Sequence, residues 1–278
     1  MAKTTQLAGK TAIVCGGSKG IGLSTAAEIV RRGGSVGVVA RGNGSLELAG
    51  ERLRALVHES SQFVDMIQAD AANRDDVGPK LEAFMEARGV PDYLINAVGY
   101  AGPDYVSNLV LDDFRQQMDV NYYGQLIPTL VVLPHLLEAG RGHIAFVSSM
   151  LGYFGIIGYA AYAPSKFALV GLAEVLRHEL RPSGLSVSVL YPPDTDTPGF
   201  EVENISKPVE THQLSANVKV AQPDEVARQF LDGIMRGKFH ILPSGAGMVW
   251  RLQRYAPRLV RAILDQALSK ARRRVGKT

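Results

Sequence analysis

Ser149, Tyr162 and Lys166 have the side chains that reduction of a carbonyl group requires. Tyr162 and Lys166 are spaced i and i+4 on a predicted helix, so both project from one face. An ammonium nearby favours the phenolate and lowers the pKa of a phenol. Hydride addition to a ketone creates an alkoxide, which Tyr162 could protonate while the Ser149 hydroxyl holds the oxygen. Lys166 could also reach the ribose of a nicotinamide cofactor.

Asn121 is a fourth candidate for this catalytic site. It lies within a long apolar segment that is predicted to be helical. An amide is costly to bury unless it is hydrogen-bonded, so Asn121 could position Lys166 through a water molecule. The alternative is that Asn121 marks a bend in the helix.

A glycine-rich loop at 16–22 could bind the pyrophosphate of a dinucleotide. It follows an apolar run and precedes a helical pattern, which predicts a strand, a tight turn and a helix. Glycines let the backbone approach a phosphate closely, and the helix N-terminus offers unpaired N–H groups. The alternative is a simple glycine turn, but a place after the first strand favours the dinucleotide site. The cofactor-binding residues predicted in this loop are Gly16, Ser18, Lys19, Gly20, Ile21 and Gly22.

Arg41 indicates which nicotinamide cofactor is bound. It ends the second predicted strand, where an acid would bind the ribose hydroxyls of NAD and a base would accept the 2′-phosphate of NADP. Lys19 lies in the loop beside it, and no acid follows before Glu47. The sequence therefore predicts NADP(H). The alternative is that both cations are only solvated.

Two further strand ends are predicted to contact the cofactor. Asp70, followed by Ala71, could bind the adenine amino group, although Asp70 could instead cap the following helix. Asn96, Ala97 and Gly99 end the fourth strand, where a turn of small residues would let the ribose pass.

Length and composition allow one large α/β domain. The chain has 278 residues, of which 46% are hydrophobic, enough for a single core. The lone Cys15 excludes an internal disulfide, and the six scattered histidines make a metal site unexpected. The N-terminus is too polar for a signal peptide, and no apolar run is long enough to span a membrane. We therefore expect a cytoplasmic protein.

Apolar, β-rich runs alternate with helical patterns along most of the chain. Strands that are apolar throughout suit a parallel sheet covered on both faces, and their alternation with helices predicts βαβ units. The predicted fold is therefore α/β, a doubly wound parallel sheet of the Rossmann type formed by residues 1–244. The predicted strands are 11–15, 35–40, 63–69, 93–96, 143–148, 186–191 and 240–242, and the predicted helices are 21–32, 45–59, 74–88, 111–139, 162–181 and 223–236.

The connection 192–222 is unusually long. It leaves the carboxyl end of a strand, where open α/β sheets bind ligands, so we expect it to be a substrate lid.

These motifs resemble those of the short-chain dehydrogenase/reductase family over residues from about 10 to 242. The family's glycine loop and catalytic tetrad are matched by Gly16, Gly20, Gly22, Asn121, Ser149, Tyr162 and Lys166. Cys15, Ala97 and Pro193 depart from the usual Thr, Asn and Gly, but none of them removes a reacting group. The resemblance implies a nicotinamide-dependent oxidoreductase that forms dimers or tetramers.

The segment 191–200, Tyr-Pro-Pro-Asp-Thr-Asp-Thr-Pro-Gly-Phe, resembles a narrower group, the 3-ketodihydrosphingosine reductases. Glu203, Asn204 and residues 207–211 continue the resemblance. It implies NADPH-dependent reduction of the 3-keto group of a long-chain sphingoid base. It also implies that Thr197 lies near the carboxamide and phosphates of the cofactor, and we expect Pro192 and Thr195 to bind the cofactor with it. The alternatives are another hydrophobic carbonyl, such as a 3-oxoacyl chain or a steroid ketone, or an NADP-binding protein without turnover, which the intact tetrad disfavours.

Asp194 and Asp196 are candidate substrate residues. A 3-ketosphinganine carries an ammonium next to its ketone, and a carboxylate just beyond a sheet end could bind it. The alternative is that both aspartates form turns with their own backbone.

Residues 245–278 are predicted to form a basic amphipathic tail. Residues 251–278 contain nine Lys and Arg and one acid, so this segment carries +8 and the rest of the chain −5. Such a helix, restarted at Pro257, could lie peripherally on a membrane with its arginines on anionic headgroups. The alternative is packing against the body or a second subunit. Nucleic acid binding is not expected, because no recognition motif accompanies the charge.

Overall fold

The computed structural model describes residues 6–216, 218–243 and 245–276. The first five residues of the N-terminus, the predicted boundary residue 244 and the last two residues of the predicted tail lie outside this description.

Seven parallel strands form one sheet in the described residues. They are β1 (Thr11–Cys15), β2 (Ser35–Ala40), β3 (Val64–Gln68), β4 (Tyr93–Asn96), β5 (Gly142–Val147), β6 (Leu185–Leu190) and β7 (His240–Ile241). Their order in space is β3-β2-β1-β4-β5-β6-β7. The order reverses between β1 and β4, which defines the point where doubly wound sheets bind ligands. The prediction of a doubly wound parallel sheet is confirmed.

Both faces of the sheet are buried, because neighbouring residues of each strand enter different cores. Val14 packs in one core with Val38 of β2. Ile13, the preceding residue, packs in the other with Phe146 of β5. This alternation follows from the two-residue period of a strand, and it explains why β1 is apolar almost throughout.

Helices cover both faces. They are α1 (Gly20–Arg31), α2 (Asn43–Arg54), α3 (Arg74–Arg88), α4 (Leu111–Met118), α5 (Gly124–Ala139), α6 (Tyr162–Leu180), α7 (Pro198–Ser206), α8 (Val209–Ser215), α9 (Pro223–Met235), α10 (Ala246–Tyr255) and α11 (Pro257–Arg274). Most begin and end within a few residues of the predicted bounds.

The predicted helix 111–139 is interrupted by a π-helical turn at Asp119–Tyr123, which separates α4 from α5. The N–H of Gly124 bonds to the carbonyl of Asp119, five residues earlier. This turn contains Asn121, which is completely buried. Asn121 therefore lies in an irregular turn of the helix.

The connection 192–222 contains two short helices, α7 and α8. Thr197 caps α7 by accepting a hydrogen bond from Phe200 N at 3.1 Å, and Pro198 occupies the first turn. Backbone bonds between Asp194 and Ala221 and between Asp196 and Ala221 bring the two ends of the connection together. The two ends of the segment are thus hydrogen-bonded to each other.

The tail consists of α10 and α11, which meet at Ala256 and Pro257. Helix α11 packs against α8 and buries Val260 and Ala271. One face of the tail therefore rests on the body of the protein. Among the described residues, no helix combines the length and apolar character needed to cross a bilayer.

Candidate active site

A cavity of about 900 Å³ lies at the carboxyl edge of the sheet. The loops that follow β1 to β6, the helices α7 and α8, and the inner face of α11 all contribute to its lining. The predicted cofactor residues that line it are Gly16, Ser18, Lys19, Gly20, Ile21, Gly22, Arg41, Asp70, Ala71, Ala97, Gly99, Tyr162, Lys166, Pro192, Thr195 and Thr197. The structure thus brings almost the whole predicted set to one place.

The glycine loop is shaped by close approaches of its own backbone. Gly16 has a φ of 79°, and a Cβ there would lie 2.7 Å from Val98 N. A Cβ on Gly22 would lie 2.2 Å from Gly16 O. Helix α1 begins at Gly20, and Lys19 before it makes no side-chain cap, so the first N–H groups remain available to an anion. This cradle fits the pyrophosphate of a dinucleotide.

Arg41 and Asp70 face each other across one end of the cavity. Arg41 Nη1 lies 3.9 Å from Asp70 Oδ2, and the Arg41 side chain is 67% exposed. Asp70 Oδ1 accepts a hydrogen bond from Ala72 N, so this carboxylate forms a local turn, while Asn73 caps α3. Asp70 is therefore not the helix cap, and both residues remain available to a ligand.

Asn96 is the predicted cofactor residue that does not line the cavity. It is completely buried, and its Nδ2 donates to Thr129 Oγ1 on α5 at 3.0 Å. The following residues, Ala97 and Gly99, form the cavity wall. Asn96 fixes the end of β4 beneath them. From the sequence alone, this supporting position could not be distinguished from direct contact with the cofactor.

Ser149, Tyr162 and Lys166 line the same cavity. Ser149 follows β5 and hydrogen-bonds to the Tyr162 hydroxyl, while Tyr162 begins α6. Lys166 lies one turn further along α6, where its Nζ donates to Val147 O at 3.1 Å and lies 5.6 Å from the centre of the Tyr162 ring. The end of β5 and the first turn of α6 thus converge on one point.

The pKa values of this group differ from the sequence expectation. Burial raises the pKa of the Tyr162 phenol, the carboxylates of Glu203 and Asp194 raise it further, and the Ser149 hydrogen bond lowers it. Burial also lowers the pKa of Lys166 to about 7. The expected lowering of the Tyr162 pKa by Lys166 is therefore not found, and the net shift is upward because of burial and the nearby carboxylates. The raised pKa favours the phenol form of Tyr162, which carries a proton, over the phenolate.

Asn121 lies behind this group and holds the backbone around it. Its Oδ1 accepts from Tyr100 N at 2.8 Å, and its Nδ2 donates to Tyr100 O and to Ser165 Oγ, both at 3.0 Å. A Cβ on Gly99 would lie 2.9 Å from Lys166 Nζ and 3.0 Å from Asn121 Oδ1. Gly99 therefore leaves the space into which Asn121 and Lys166 both point.

The two candidate substrate aspartates separate in the structure. Asp194 lines the cavity, and its burial raises the pKa of its carboxyl group. Asp196 is exposed, and Gln222 Nε2 approaches its Oδ2 at 3.4 Å. Of the two, only Asp194 lines the cavity that contains Tyr162.

Sequence reasoning missed Glu203, Lys207 and Tyr159, which also line the cavity. Glu203 and Lys207 belong to the segment that resembles known reductases, but their spacing of four residues did not indicate what either side chain does. It also missed that Leu264 and Ala267 of the basic tail reach the cavity. The apolar face of the tail helix indicated that Leu264 and Ala267 could pack against something, but it did not show what they would contact.

Residues 10–208 match the sequence family described as short chain dehydrogenase. The match covers more than half of the chain, so the protein belongs to this family. Membership and fold make it an oxidoreductase with a nicotinamide cofactor, in agreement with the glycine cradle and the Ser149, Tyr162 and Lys166 group.

Similar proteins have names that specify a substrate, which the family description does not. A 3-dehydrosphinganine reductase of Danio rerio is 39% identical over 238 residues, which is 85% of this chain and 72% of that protein. A 3-ketodihydrosphingosine reductase of Dictyostelium discoideum is 38% identical over 250 residues, covering 85% of this chain and 75% of that protein.

Solved structures share the fold. Levodione reductase superposes with a TM-score of 0.77 at 20% identity, covering 84% of this chain and 95% of that one. A 3-oxoacyl-[acyl-carrier protein] reductase from Brucella melitensis, solved with bound NAD, has a TM-score of 0.70 at 23% identity and covers 88% of each chain.

Proposed function

We propose that this protein reduces the 3-keto group of a long-chain sphingoid base, converting 3-ketodihydrosphingosine to dihydrosphingosine. The observation that carries this proposal is the similarity to sphingoid 3-ketone reductases over 85% of the chain. The cavity supports it, since a proton donor, an apolar wall and carboxylates face one space.

A bound nicotinamide cofactor supplies the hydride for this reaction. Tyr162 donates its phenolic proton to the carbonyl oxygen, and the Ser149 hydroxyl holds that oxygen by a hydrogen bond. Lys166 holds the cofactor's ribose and stands beside Tyr162, and Asn121 positions Lys166 through a water molecule. Asn121 is thus a positioning residue, whereas Ser149 and Tyr162 contact the substrate.

The cofactor form is NADP(H). Arg41 and Lys19 line the end of the cavity after β1 and β2, where a 2′-phosphate would lie. Asp70 partly balances Arg41, but its carboxylate sits one strand further away. Two cations at this position favour an added phosphate.

The substrate end of the cavity suits a long alkyl chain with a cationic head. Apolar residues cover this part of the wall, namely Leu151, Phe154, Ile156, Phe200, Leu214, Leu264 and Ala267. Asp194 offers a carboxylate near Tyr162, as an ammonium next to the ketone requires. Residues 1–244 form the catalytic domain with its lid at 192–222, and the tail 245–278 completes the wall through α11.

The outer face of the tail contacts an anionic lipid surface. Its exposed apolar residues are Met248, Leu252, Tyr255, Leu259 and Ile263. Arg251, Arg258 and Arg261 are exposed on the same two helices, and such a face suits a membrane interface. Sedimentation with phosphatidylserine vesicles, compared with phosphatidylcholine vesicles, tests this. Leu259→Ser with Ile263→Ser should abolish the binding, and binding that persists would contradict it.

Two copies of the chain associate through α5 and α6. The exposed apolar residues of this surface are Leu130, Leu137, Phe167 and Val175. Light scattering on the purified protein should show a dimer or tetramer, and Phe167→Glu should shift it to monomer.

The main experiment follows NADPH oxidation by the purified protein with 3-ketodihydrosphingosine, a 3-oxoacyl thioester and a steroid ketone. Turnover of the sphingoid base well above the others is expected. Turnover of another ketone instead would remove the substrate assignment.

A further inference from the structure

A charged cluster outside the catalytic tetrad occupies the lid end of the cavity. Lys207 Nζ lies 3.3 Å from Glu203 Oε1, and the Lys207 side chain is only 1% exposed. Lys207 also lies over the Phe200 ring, with Nζ 4.6 Å from its centre. The Tyr159 hydroxyl donates a hydrogen bond to the same Glu203 oxygen. The Glu203 carboxylate is therefore held in place from two sides while it faces the cavity.

The charges of this cluster do not balance. Glu203 and Asp194 are two carboxylates that line the cavity, whereas Lys207 is the one ammonium that contacts either of them among the described residues. Burial raises the Asp194 pKa and Lys207 lowers it, so the two groups interact. A partly buried carboxylate without a cation is costly. The two carboxylates thus carry one more charge than Lys207 can neutralise.

The two carboxylates lie on the side of the cavity that contains Tyr162, the proton donor. Tyr159, which bonds to Glu203, packs against Tyr162 with 5.8 Å between ring centres. In an α-amino ketone the carbon that bears the ammonium is bonded to the carbonyl carbon. A ketone oxygen at Tyr162 therefore places the ammonium on the side of the cavity that contains Glu203 and Asp194.

We propose that Glu203 is a specificity-determining residue that binds the ammonium group of the substrate together with Asp194, while Lys207 and Tyr159 fix the Glu203 carboxylate. This inference rests on the proposed function and adds the acceptor for the amine. Lys207 supplies one positive charge to the two carboxylates, so the substrate cation supplies the second. A neutral ketone of equal length gains nothing from this arrangement.

The test is the ratio of kcat/KM for 3-ketodihydrosphingosine to that for a 3-ketone of the same chain length without the amine. In Glu203→Gln this ratio should fall about 10- to 100-fold, because a charge-assisted hydrogen bond is lost. Glu203→Gln also removes a carboxylate that raises the Tyr162 pKa, but both ketones share this change, so the ratio reports the contact with the ammonium. Glu201→Gln is the matched control, because Glu201 is an exposed acid on the same helix.

Equal losses with both ketones, or an unchanged ratio, would overturn the proposal. If Glu203→Gln does not fold, Glu203→Asp decides, since its shorter carboxylate should lower the ratio and an unchanged ratio refutes the role. Failure of the proposed function looks different, because the unmodified protein would then not reduce the sphingoid ketone at all. A preference for the amino ketone that survives in Glu203→Gln refutes only this inference.

Discussion

Replacing Arg41 by alanine should change cofactor preference and leave the chemical step intact. Arg41 directly follows β2 and lines the cavity, where it would contact the 2′-phosphate of NADPH. A hydrogen bond to a charged partner contributes about 1.5–3 kcal/mol. Because the Arg41 side chain is 67% exposed, solvent screening reduces this to about 1–2 kcal/mol, a factor of about 5 to 30.

The assay compares kcat/KM for NADPH and for NADH in the unmodified protein and in Arg41→Ala. The value for NADPH should fall by this factor, and the value for NADH should remain within about twofold, because Arg41 meets no phosphate there. The loss should shrink as salt is added, since screening weakens exposed charge pairs. Arg115→Ala is the control, because Arg115 is also 67% exposed and also pairs with an aspartate, Asp112, but does not line the cavity.

An equal loss for both cofactors would show that Arg41 supports the loop structure instead of the phosphate. No loss for NADPH would refute the reasoning about the end of β2 altogether.

Other predictions follow from single contacts. Gly22→Ala should abolish NADPH binding in fluorescence titration, because its Cβ would lie 2.2 Å from Gly16 O, whereas Gly171→Ala meets no atom within 4 Å and should bind normally. Tyr162→Phe should retain NADPH binding but lose about 10²- to 10⁴-fold in kcat, and unchanged turnover would exclude Tyr162 as the proton donor. Burial lowers the pKa of His143 from 6.5 to about 4, so the unfolded state binds a proton at this residue more readily and the folded state loses stability as the pH falls. Between pH 6.5 and 4 urea unfolding should therefore show a loss of stability on the order of 3 kcal/mol that His143→Gln lacks, and parallel pH profiles would contradict this.

The local chemistry of the fold was predictable because it depends on short-range patterns. The run Thr11–Cys15 followed by Gly16, Gly20 and Gly22 determines a strand, a turn and a helix without reference to distant residues. The positions of Tyr162 and Lys166 on one helix face follow from spacing alone. These features require only the period of a helix or strand and the steric freedom of glycine.

Features that depend on distant parts of the chain were not predictable. The Tyr162 pKa depends on Glu203 and Asp194, which only the folded lid brings near. Asn96 points to Thr129 because β4 and α5 pack together, which strand patterns do not reveal. The partner of the apolar face of the tail is α8, and no local signal identifies a partner helix.

Helix α11, Pro257–Arg274, comes late in the described residues, whereas the glycine loop at 16–22 comes early. Leu264 and Ala267 of this helix line the same cavity as the glycine loop. Domains fold largely as they emerge from the ribosome, from the N-terminus onward. The residues of the dinucleotide cradle are therefore synthesised well before the helix that helps to enclose the alkyl chain.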